Sequence, residues 1–215
     1  MKAIEEHKCT LCDHPAAEEI PVSGCTSFRF CENCRLLSRP PESFPGWNEE
    51  RLRYLTHTNH IADKKYQDFL RQLGDPVLKI TPKGSIGLDY GCGQNTVLCN
   101  ILEENGMKMQ PYDPVFFPRK LTRTYDFIVS TETFEHFFKP GAEITKLLKL
   151  LKPGGYLGIM TQFWENKDQV YHWRYARDYT HVCLYHRKTF DFIARQWSLD
   201  MKYSDENACV IFQKN

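Results

Sequence analysis

Four of the nine cysteines form two closely spaced pairs, Cys9-x-x-Cys12 and Cys31-x-x-Cys34. Two such knuckles can present four thiolates tetrahedrally to Zn²⁺. So short a segment cannot bury an adequate core without a metal. The pattern therefore predicts a structural zinc ribbon, with reduced surface cysteines as the competing interpretation. Two further residues lie close enough to replace a ligand, although neither has knuckle spacing: His14 and Cys25.

A second distinctive stretch, residues 85–93, joins a short apolar strand to a glycine turn, and helical spacing follows at once. Gly91 and Gly93 have no Cβ atom, so the backbone N–H groups of this turn can approach a ligand closely. Asp89 ends the strand and can accept hydrogen bonds from a bound cofactor. Asp113 follows near the spacing, roughly 20 residues, at which dinucleotide-binding folds place an acid for the ribose hydroxyls. Together these residues predict a nucleotide-cofactor site.

Two glutamates and a histidine follow a later predicted strand in the pattern Glu132-x-x-Glu135-His136. On a helical turn, positions i and i+3 share a face and position i+4 lies beside them. Such a turn can offer two carboxylates and an imidazole to one divalent ion. It would lie at the sheet edge where ligands bind in open α/β folds. The alternative is a metal-free site in which His136 acts as general base and Glu132 assists it.

These motifs, in this order with the strand 125–130 and the Lys-Pro-Gly-Gly turn within 151–156, resemble class I S-adenosylmethionine-dependent methyltransferases. The resemblance covers about residues 51–215. The third glycine common in that family is Asn95 here, so we expect the loop to lie slightly further from the methionine end of the cofactor. A nicotinamide dehydrogenase is disfavoured by the missing later glycine. The resemblance implies that S-adenosylmethionine is bound by Asp89, Gly91, Cys92, Gly93, Asp113 and Thr131.

Within that family, the glutamate–histidine motif is similar to that of metal-dependent O-methyltransferases acting on small RNAs and on quinone precursors. That similarity implies that a downstream histidine, His181, completes an ion site that positions an acceptor hydroxyl. The ion would be Mg²⁺ or Mn²⁺, and its ligands would be Glu132, Glu135, His136 and His181. Many metal-free members also carry Glu-His at this point, so the interpretation with His136 as base stays open.

The resemblance implies an α/β fold in which a Rossmann-like seven-stranded sheet positions these residues. We expect the sheet to be shortened around its third strand, because only residues 114–124 separate Asp113 from the next strand. A proline-rich linker places the boundary near residue 45, with a zinc-ribbon segment over 1–45 and the methyltransferase domain over 46–215.

Several flanking elements are also predicted. Apolar spacing from Ile61 to Leu73 indicates a helix that ends at Gly74 and Pro76. Residues 53–59, at its start, could reach the methionine carboxylate or form a plain helix entry. Aromatic and cationic residues over 163–179 predict an acceptor pocket or a packed lid. A helix over 188–197 and a hairpin of strands 199–203 and 209–212 would complete the sheet.

The composition limits the classes of partner that the chain is expected to bind. The formal net charge is +1, so nothing pulls the whole chain towards nucleic acid or anionic membranes. No apolar run approaches the roughly 20 residues of a membrane helix, and no signal-peptide core is visible, which favours a cytoplasmic protein without a membrane partner. A small-molecule acceptor is favoured, RNA is possible, and the ribbon could bind a protein partner. The alternative function is a non-catalytic zinc-binding interaction module on a degenerate methyltransferase scaffold.

Overall fold

The computed structural model describes residues 7–56 and 63–215. Its largest element is a six-stranded sheet in the order β5-β4-β6-β7-β10-β9. The first four strands of that order are parallel, whereas β10 runs antiparallel to both β7 and β9. The six strands are β4 (Ile86–Tyr90), β5 (Lys108–Tyr112), β6 (Tyr125–Thr131), β7 (Leu151–Met160), β9 (Leu199–Ser204) and β10 (Cys209–Lys214).

The central strands are apolar on both faces because helices cover both faces. Along β6, Phe127 and Val129 pack into one core and Ile128 into the other, as the period of two requires. The first core is covered by α2 (Lys64–Ile80) and α3 (Val97–Glu104). The second is covered by α4 (Pro140–Leu150) and α7 (Arg187–Gln196). The predicted Rossmann-like α/β class is therefore confirmed, as are the final helix and hairpin.

The strand count differs from the predicted seven. Between Asp113 and β6 the chain forms only an isolated bridge from Asp113 to Phe117, so within these described residues the third strand is missing rather than short. The physical reason is length: a crossover to a further parallel strand takes a dozen or more residues, and 114–124 cannot supply both the strand and the crossover. As a result β5 forms the edge of the sheet.

The helix α2 begins where Asp63 accepts hydrogen bonds from two backbone N–H groups of its first turn. The prediction that this helix ends at Gly74 and Pro76 is wrong, because it continues to Ile80. A proline inside a helix costs about 3 kcal/mol. Burial of each large apolar side chain, such as Leu73 and Val77, returns about 1.5–3 kcal/mol, which outweighs that cost. Residue 61 and residues 57–59, which were predicted to enter this helix, lie outside the described residues.

The N-terminal segment forms a second, four-stranded sheet whose last strand comes from the other end of the chain. Its order is β1-β2-β3-β8, where β3 pairs antiparallel with β8. Phe28 and Phe30 of this sheet share a core with Trp164 and Tyr175, so the ribbon packs on the aromatic stretch after β7. Its strands are β1 (Glu18–Val22), β2 (Cys25–Phe30), β3 (Leu37–Ser38) and β8 (Cys183–Leu184).

Three short helices complete the chain around the site: α1 (Trp47–Leu55), α5 (Lys167–His172) and α6 (Arg174–Arg177). Two 3₁₀ turns, Pro41–Ser43 and Phe134–His136, connect the other elements. The predicted boundary near residue 45 stays a prediction, although the segments on either side of it share a sheet and a core. Among the helices described, none is both long enough and apolar enough to cross a bilayer.

Candidate active site

A cavity of about 1140 Å³ opens at the carboxyl ends of the parallel strands. Ligand pockets usually measure about 300–1,000 Å³, so this volume suits two ligands side by side. The loops after β4, β5 and β6 form one part of the wall, and α1 and α6 form another. The ends of parallel strands meet at one edge, which is why motifs far apart in sequence meet there.

The glycine turn after β4 has the backbone geometry of a ligand cradle. Gly91 and Gly93 have φ angles of 83° and 65°, a left-handed conformation that side chains disfavour. A Cβ atom at Gly93 would have no atom within 4 Å, so this residue faces open space in the cavity wall. At Gly91, a Cβ atom would approach the Thr133 side chain to 2.4 Å. The turn therefore fits a close-approaching cofactor at Gly93 and is tightly packed at Gly91.

Asp113 lines the same cavity and stabilises the turn from the other side. Its Oδ2 accepts a 3.2 Å hydrogen bond from the Gly93 N–H. Its Oδ1 accepts bonds from the N–H groups of Val115 at 2.8 Å and Phe116 at 3.0 Å. Oδ2 keeps a second lone pair for a ribose hydroxyl. The structure thus brings the predicted acid to the glycine turn and gives it an additional role in shaping the loop.

The predicted cofactor residue Asp89 does not line the cavity. It is 2% exposed, and the Cys99 thiol contacts its Oδ2 at 3.5 Å, which puts its carboxyl beneath the turn on the side of α3. Burial, with the charge of Asp113 adding to it, raises the pKa of Asp89 to about 7. Cys92, Thr131 and Asn95 do line the cavity. Their contacts with a cofactor, like that of Asp89, stay predictions.

The loop after β6 contributes a cluster of candidate ligands. One ligand atom from each of Glu135, His136 and His181 lies within 4.8 Å of the others. The two imidazole rings are 4.8 Å apart between centroids, and His136 Nε2 lies 3.9 Å from Glu135 Oε1. All three residues line the cavity. The predicted convergence of His181 with the glutamate–histidine motif is therefore present in the fold.

Hydrogen bonds at the back of this cluster orient its members. His136 Nδ1 lies 2.9 Å from the Thr180 carbonyl, and His181 Nδ1 lies 2.8 Å from the Tyr175 carbonyl. A carbonyl can only accept, so both Nδ1 atoms carry protons, which leaves the Nε2 atom of each ring as the one that can bind a ligand. Burial lowers the pKa of His181 to about 4, which keeps that imidazole neutral.

The carboxylate of the cluster is held in the same way. Glu135 is fully buried, and its Oε2 accepts a 2.8 Å hydrogen bond from the Thr161 hydroxyl. The Tyr175 hydroxyl lies 3.0 Å from that Thr161 oxygen. Glu135 Oε1 is buried and has no hydrogen-bond partner. One carboxylate oxygen and two imidazole nitrogens thus form a donor set that suits a divalent transition metal.

Glu132 lies outside this three-residue cluster, contrary to the predicted helical geometry. Its φ angle is 48°, and only Phe134–His136 form a helical turn, of the tighter 3₁₀ type. The spacing i, i+3, i+4 therefore does not put Glu132 on the face of Glu135. Burial, then the charge of Glu135, raises the pKa of Glu132 well above its usual range. A role as helper of His136 stays a prediction.

Sequence reasoning expected residues 53–59 near the cofactor but missed the separate helix α1 that carries the first of them. It predicted residues 53–59 as the start of the following helix, but Arg53 and Tyr54 belong to this separate helix, which lies over the cavity. The Tyr54 ring meets the His136 ring edge-on, with centroids 5.3 Å apart. Arg53 Nε donates a 3.0 Å hydrogen bond to Asp178. The available signal was helical spacing, since the cavity-facing residues Trp47, Glu50, Arg53 and Tyr54 share one face.

The four knuckle cysteines converge as predicted. Their sulfur atoms all lie within 4.8 Å of one another, with Cys9 to Cys34 at 3.5 Å and Cys12 to Cys31 at 3.6 Å. Thiolates on a tetrahedral zinc are about 3.8 Å apart, because each Zn–S bond is about 2.3 Å. The alternative ligands His14 and Cys25 are not members of this cluster. The residues therefore fit a Cys₄ zinc site.

The two knuckles have the same backbone conformation. In each, the residue after the second cysteine is left-handed: Asp13 has a φ angle of 57° and Arg35 one of 62°. Each of these residues donates its N–H to the carbonyl of the first cysteine, at 2.9 and 2.8 Å. This duplicated turn aims both thiols of a pair at the same point.

A family model described as a methyltransferase domain matches residues 58–200. The chain belongs to this methyltransferase domain family. The match spans the glycine turn, the acid after β5 and the glutamate–histidine motif. It confirms the predicted class I S-adenosylmethionine-dependent methyltransferase at the level of family and fold. Curated proteins give no match to the sequence.

Solved structures agree on the fold of this methyltransferase. The Burkholderia thailandensis 1,6-didemethyltoxoflavin-N1-methyltransferase, solved with 1,6-didemethyltoxoflavin and S-adenosylhomocysteine, is 11% identical with a TM-score of 0.56, covering 93% of this chain and 100% of its own. The Pyrococcus horikoshii OT3 protein PH0226 is 12% identical, with a TM-score of 0.50. The match covers 76% of this chain and 99% of PH0226. An O-methyltransferase family protein from Burkholderia thailandensis is 16% identical, with a TM-score of 0.50. The match covers 77% of this chain and 63% of that protein.

Proposed function

We propose that this methyltransferase transfers the methyl group of S-adenosylmethionine to a hydroxyl of a small-molecule acceptor, assisted by a divalent ion held by Glu135, His136 and His181. One observation carries the proposal: three ligand atoms within 4.8 Å of one another line the same cavity as the glycine turn. Their free Nε2 atoms and the unpartnered Oε1 of Glu135 suit an ion better than they suit packing.

Two observations support a small molecule over RNA. The net charge of +1 supplies no excess of cations for a phosphate backbone. The cavity volume, about 1140 Å³, suits the cofactor and one compact acceptor together. The 1,6-didemethyltoxoflavin-N1-methyltransferase, which has a similar fold, was solved with both 1,6-didemethyltoxoflavin and S-adenosylhomocysteine bound, and this supports a site for two ligands here as well.

The main role that we assign to this chain is to align the acceptor with the methyl group of the cofactor. S-adenosylmethionine supplies a methyl group already activated by the sulfonium charge. Gly91 and Gly93 would let the backbone approach the cofactor, and Asp113 would accept from its ribose. Well-oriented reactants gain about 7–11 kcal/mol over the bimolecular reaction, so holding the acceptor at a fixed point beside the methyl group is the main requirement.

The donor set favours Mn²⁺ over Mg²⁺. Mg²⁺ requires near-ideal octahedral oxygen ligation, and Mn²⁺ also favours carboxylate but, as a transition ion, accepts imidazole more readily; Fe²⁺ and Zn²⁺ suit imidazole better than either. With Glu132 outside the cluster, one carboxylate and two imidazoles remain. Such an ion, when bound, lowers the pKa of a coordinated hydroxyl and orients it. In the metal-free alternative His136 itself takes the acceptor proton. Separately, we propose that Cys9, Cys12, Cys31 and Cys34 hold one structural zinc.

Manganese binding tests the ion site directly. Titration of zinc-loaded protein with Mn²⁺, followed by electron paramagnetic resonance, should reveal one site per chain. Glu135→Gln and His181→Gln should abolish it. Glu132→Gln and His172→Gln are the matched controls, because Glu132 lies outside the cluster and His172 is exposed on α5. Loss of binding in Glu132→Gln as well would restore the four-ligand site predicted from the sequence.

Turnover separates the two mechanisms. A panel of phenols, catechols and sugars with methyl-labelled S-adenosylmethionine should yield a methylated product that disappears on brief chelation and returns with Mn²⁺, while zinc analysis stays unchanged. If activity survives chelation and the pH profile of His136→Ala lacks one limb, the divalent-ion mechanism is refuted and His136 is established as the general base. Absence of S-adenosylhomocysteine binding by calorimetry would refute the methyltransferase site as a whole.

A further inference from the structure

Arg39 follows β3 directly and is 2% exposed. Its guanidinium donates hydrogen bonds to backbone carbonyls from two separate parts of the chain. One acceptor is in the ribbon, Thr26, at 3.3 Å. The others lie in the loop that ends at the site: Ala176 at 2.9 Å, Asp178 at 3.3 Å and His181 at 3.0 Å.

This arrangement restricts the loop strongly. A buried cation is costly unless its donors are satisfied, so each of these carbonyls must stay in place for Arg39 to remain buried. The Phe28 ring covers the guanidinium, with the cation 4.8 Å from the ring centroid. Arg39 can therefore exist in this position only when the ribbon and the loop 176–181 are both formed around it.

The same segment, from α6 into the turn after it, orients both imidazoles of the cluster. His136 Nδ1 bonds the Thr180 carbonyl and His181 Nδ1 bonds the Tyr175 carbonyl, whereas Arg39 holds three carbonyls of the intervening and following residues. The loop thus presents one set of carbonyls to Arg39 and another to the histidines. A shift of the first set would move the second.

A backbone path joins Arg39 to the main chain of Glu135 as well. The Arg39 N–H donates to the Val182 carbonyl at 2.8 Å, and the Val182 N–H donates to the Glu135 carbonyl at 2.8 Å. Upstream, the Cys31 N–H bonds the Leu36 carbonyl at 3.0 Å, which ties the second knuckle to β3. The knuckle, β3, Arg39 and the cluster therefore form one continuous hydrogen-bonded unit.

We infer that Arg39 is a positioning residue: by fixing the backbone from Tyr175 to His181 it sets the orientation of His136 and His181, and it makes the zinc ribbon a support of the active site. This inference rests on the proposed function of the cluster, but it concerns orientation, which can be measured without turnover. The ribbon packs its inner face on the chain's own aromatic stretch, which agrees with an internal role.

The test uses full-length, zinc-loaded protein and long-range ¹H–¹⁵N spectra of the histidine rings. In the wild type, both imidazoles should carry a proton on Nδ1, the ring nitrogen that faces a backbone carbonyl in each. In Arg39→Gln, they should become mixtures of the two tautomers, and Arg39→Lys should show a smaller change. Guanidinium added to Arg39→Ala should restore the wild-type spectrum. Arg29→Gln is the control, because Arg29 lies in the same ribbon sheet but pairs with Glu19 on the surface.

S-adenosylhomocysteine affinity and zinc content should stay unchanged in these variants, which excludes general unfolding. Wild-type histidine spectra in an Arg39→Gln protein that retains zinc and S-adenosylhomocysteine would overturn the inference. If no Arg39 variant folds, amide hydrogen exchange of the wild-type protein provides the test. As the urea concentration rises, the Arg39 and Val182 amides should exchange through the same opening reaction. Independent opening of the two amides would refute the coupling. These readouts hold even if no methyl acceptor is found, so failure of the proposed function is distinguishable.

Discussion

Replacement of Asp113 separates its two roles. Its Oδ1 accepts from Val115 and Phe116 and so shapes the loop after β5, whereas its Oδ2 accepts from Gly93 and faces the cofactor region. Asp113→Asn keeps a carbonyl oxygen for the loop and removes the charge. Asp113→Ala removes every one of these bonds. We expect the first variant to fold normally and to bind S-adenosylhomocysteine weakly, and the second to lose stability as well.

The magnitude follows from the bonds lost. A hydrogen bond to a charged group contributes about 1.5–3 kcal/mol, so loss of one ribose contact should weaken binding about 10- to 140-fold. In Asp113→Ala, the N–H groups of Val115 and Phe116 lose their acceptor. Each such loss costs about 1–3 kcal/mol where the group stays buried. The free energy of unfolding should therefore fall by up to about 2–6 kcal/mol in Asp113→Ala, because two N–H groups lose their acceptor, and much less in Asp113→Asn.

Calorimetric titration with S-adenosylhomocysteine measures the binding term, and urea denaturation without ligand measures the stability term. The matched control is Asp126→Asn, since Asp126 also accepts a backbone N–H, from Ile86 at 2.8 Å, but lies at the opposite end of the sheet from the cavity. Wild-type affinity in Asp113→Asn would show that the ribose is held elsewhere. Equal stability of the Asn and Ala variants would refute the structural role.

Three further outcomes are expected. Cys31→Ser should release the roughly one zinc per chain that elemental analysis finds in the wild type, and should lower the melting temperature. Gly91→Ala should lower the free energy of unfolding in urea more than Gly93→Ala does. A left-handed alanine costs about 1–2 kcal/mol at either position, but only at Gly91 would the new Cβ atom also approach the Thr133 side chain, to 2.4 Å. Asp89 binds a proton up to about pH 7 when folded and only to about pH 4 when unfolded, so its contribution to stability falls as pH rises between those values. Asp89→Asn should remove that fall, about 3–5 kcal/mol at most, and unchanged pH dependence of the urea midpoint would contradict the buried carboxyl.

Local patterns predicted most of the site. The knuckle spacing, the glycine turn and the acid after the second parallel strand depend on contacts between residues near one another in sequence. Their geometry is set by turn chemistry and by the edge at which parallel strands end. The convergence of His181 with the glutamate–histidine motif came from the family resemblance, and the fold agrees with it.

Other local inferences were wrong where packing competes with propensity. A helix was predicted to stop at Pro76, but apolar burial along α2 outweighs the lost hydrogen bond. A helical turn was predicted from Glu132, but the residue leaves β6 in a left-handed conformation. Periodicity alone describes which face residues would share if the helix formed, and it contains no term for the tertiary contacts that decide whether it does.

The sequence by itself determined the chemistry available: four thiolates in two knuckles, a glycine turn with its acid, and a carboxylate and a histidine after the third parallel strand, with a further histidine downstream. Only the tertiary structure decided how these parts support one another. Arg39 bonds carbonyls 137 and 142 positions away, and β3 pairs with β8 from the far end of the chain. Nothing local marks an arginine after a two-residue strand as buried, because its partners are backbone carbonyls that every residue carries. Their positions are defined only once the whole chain has folded.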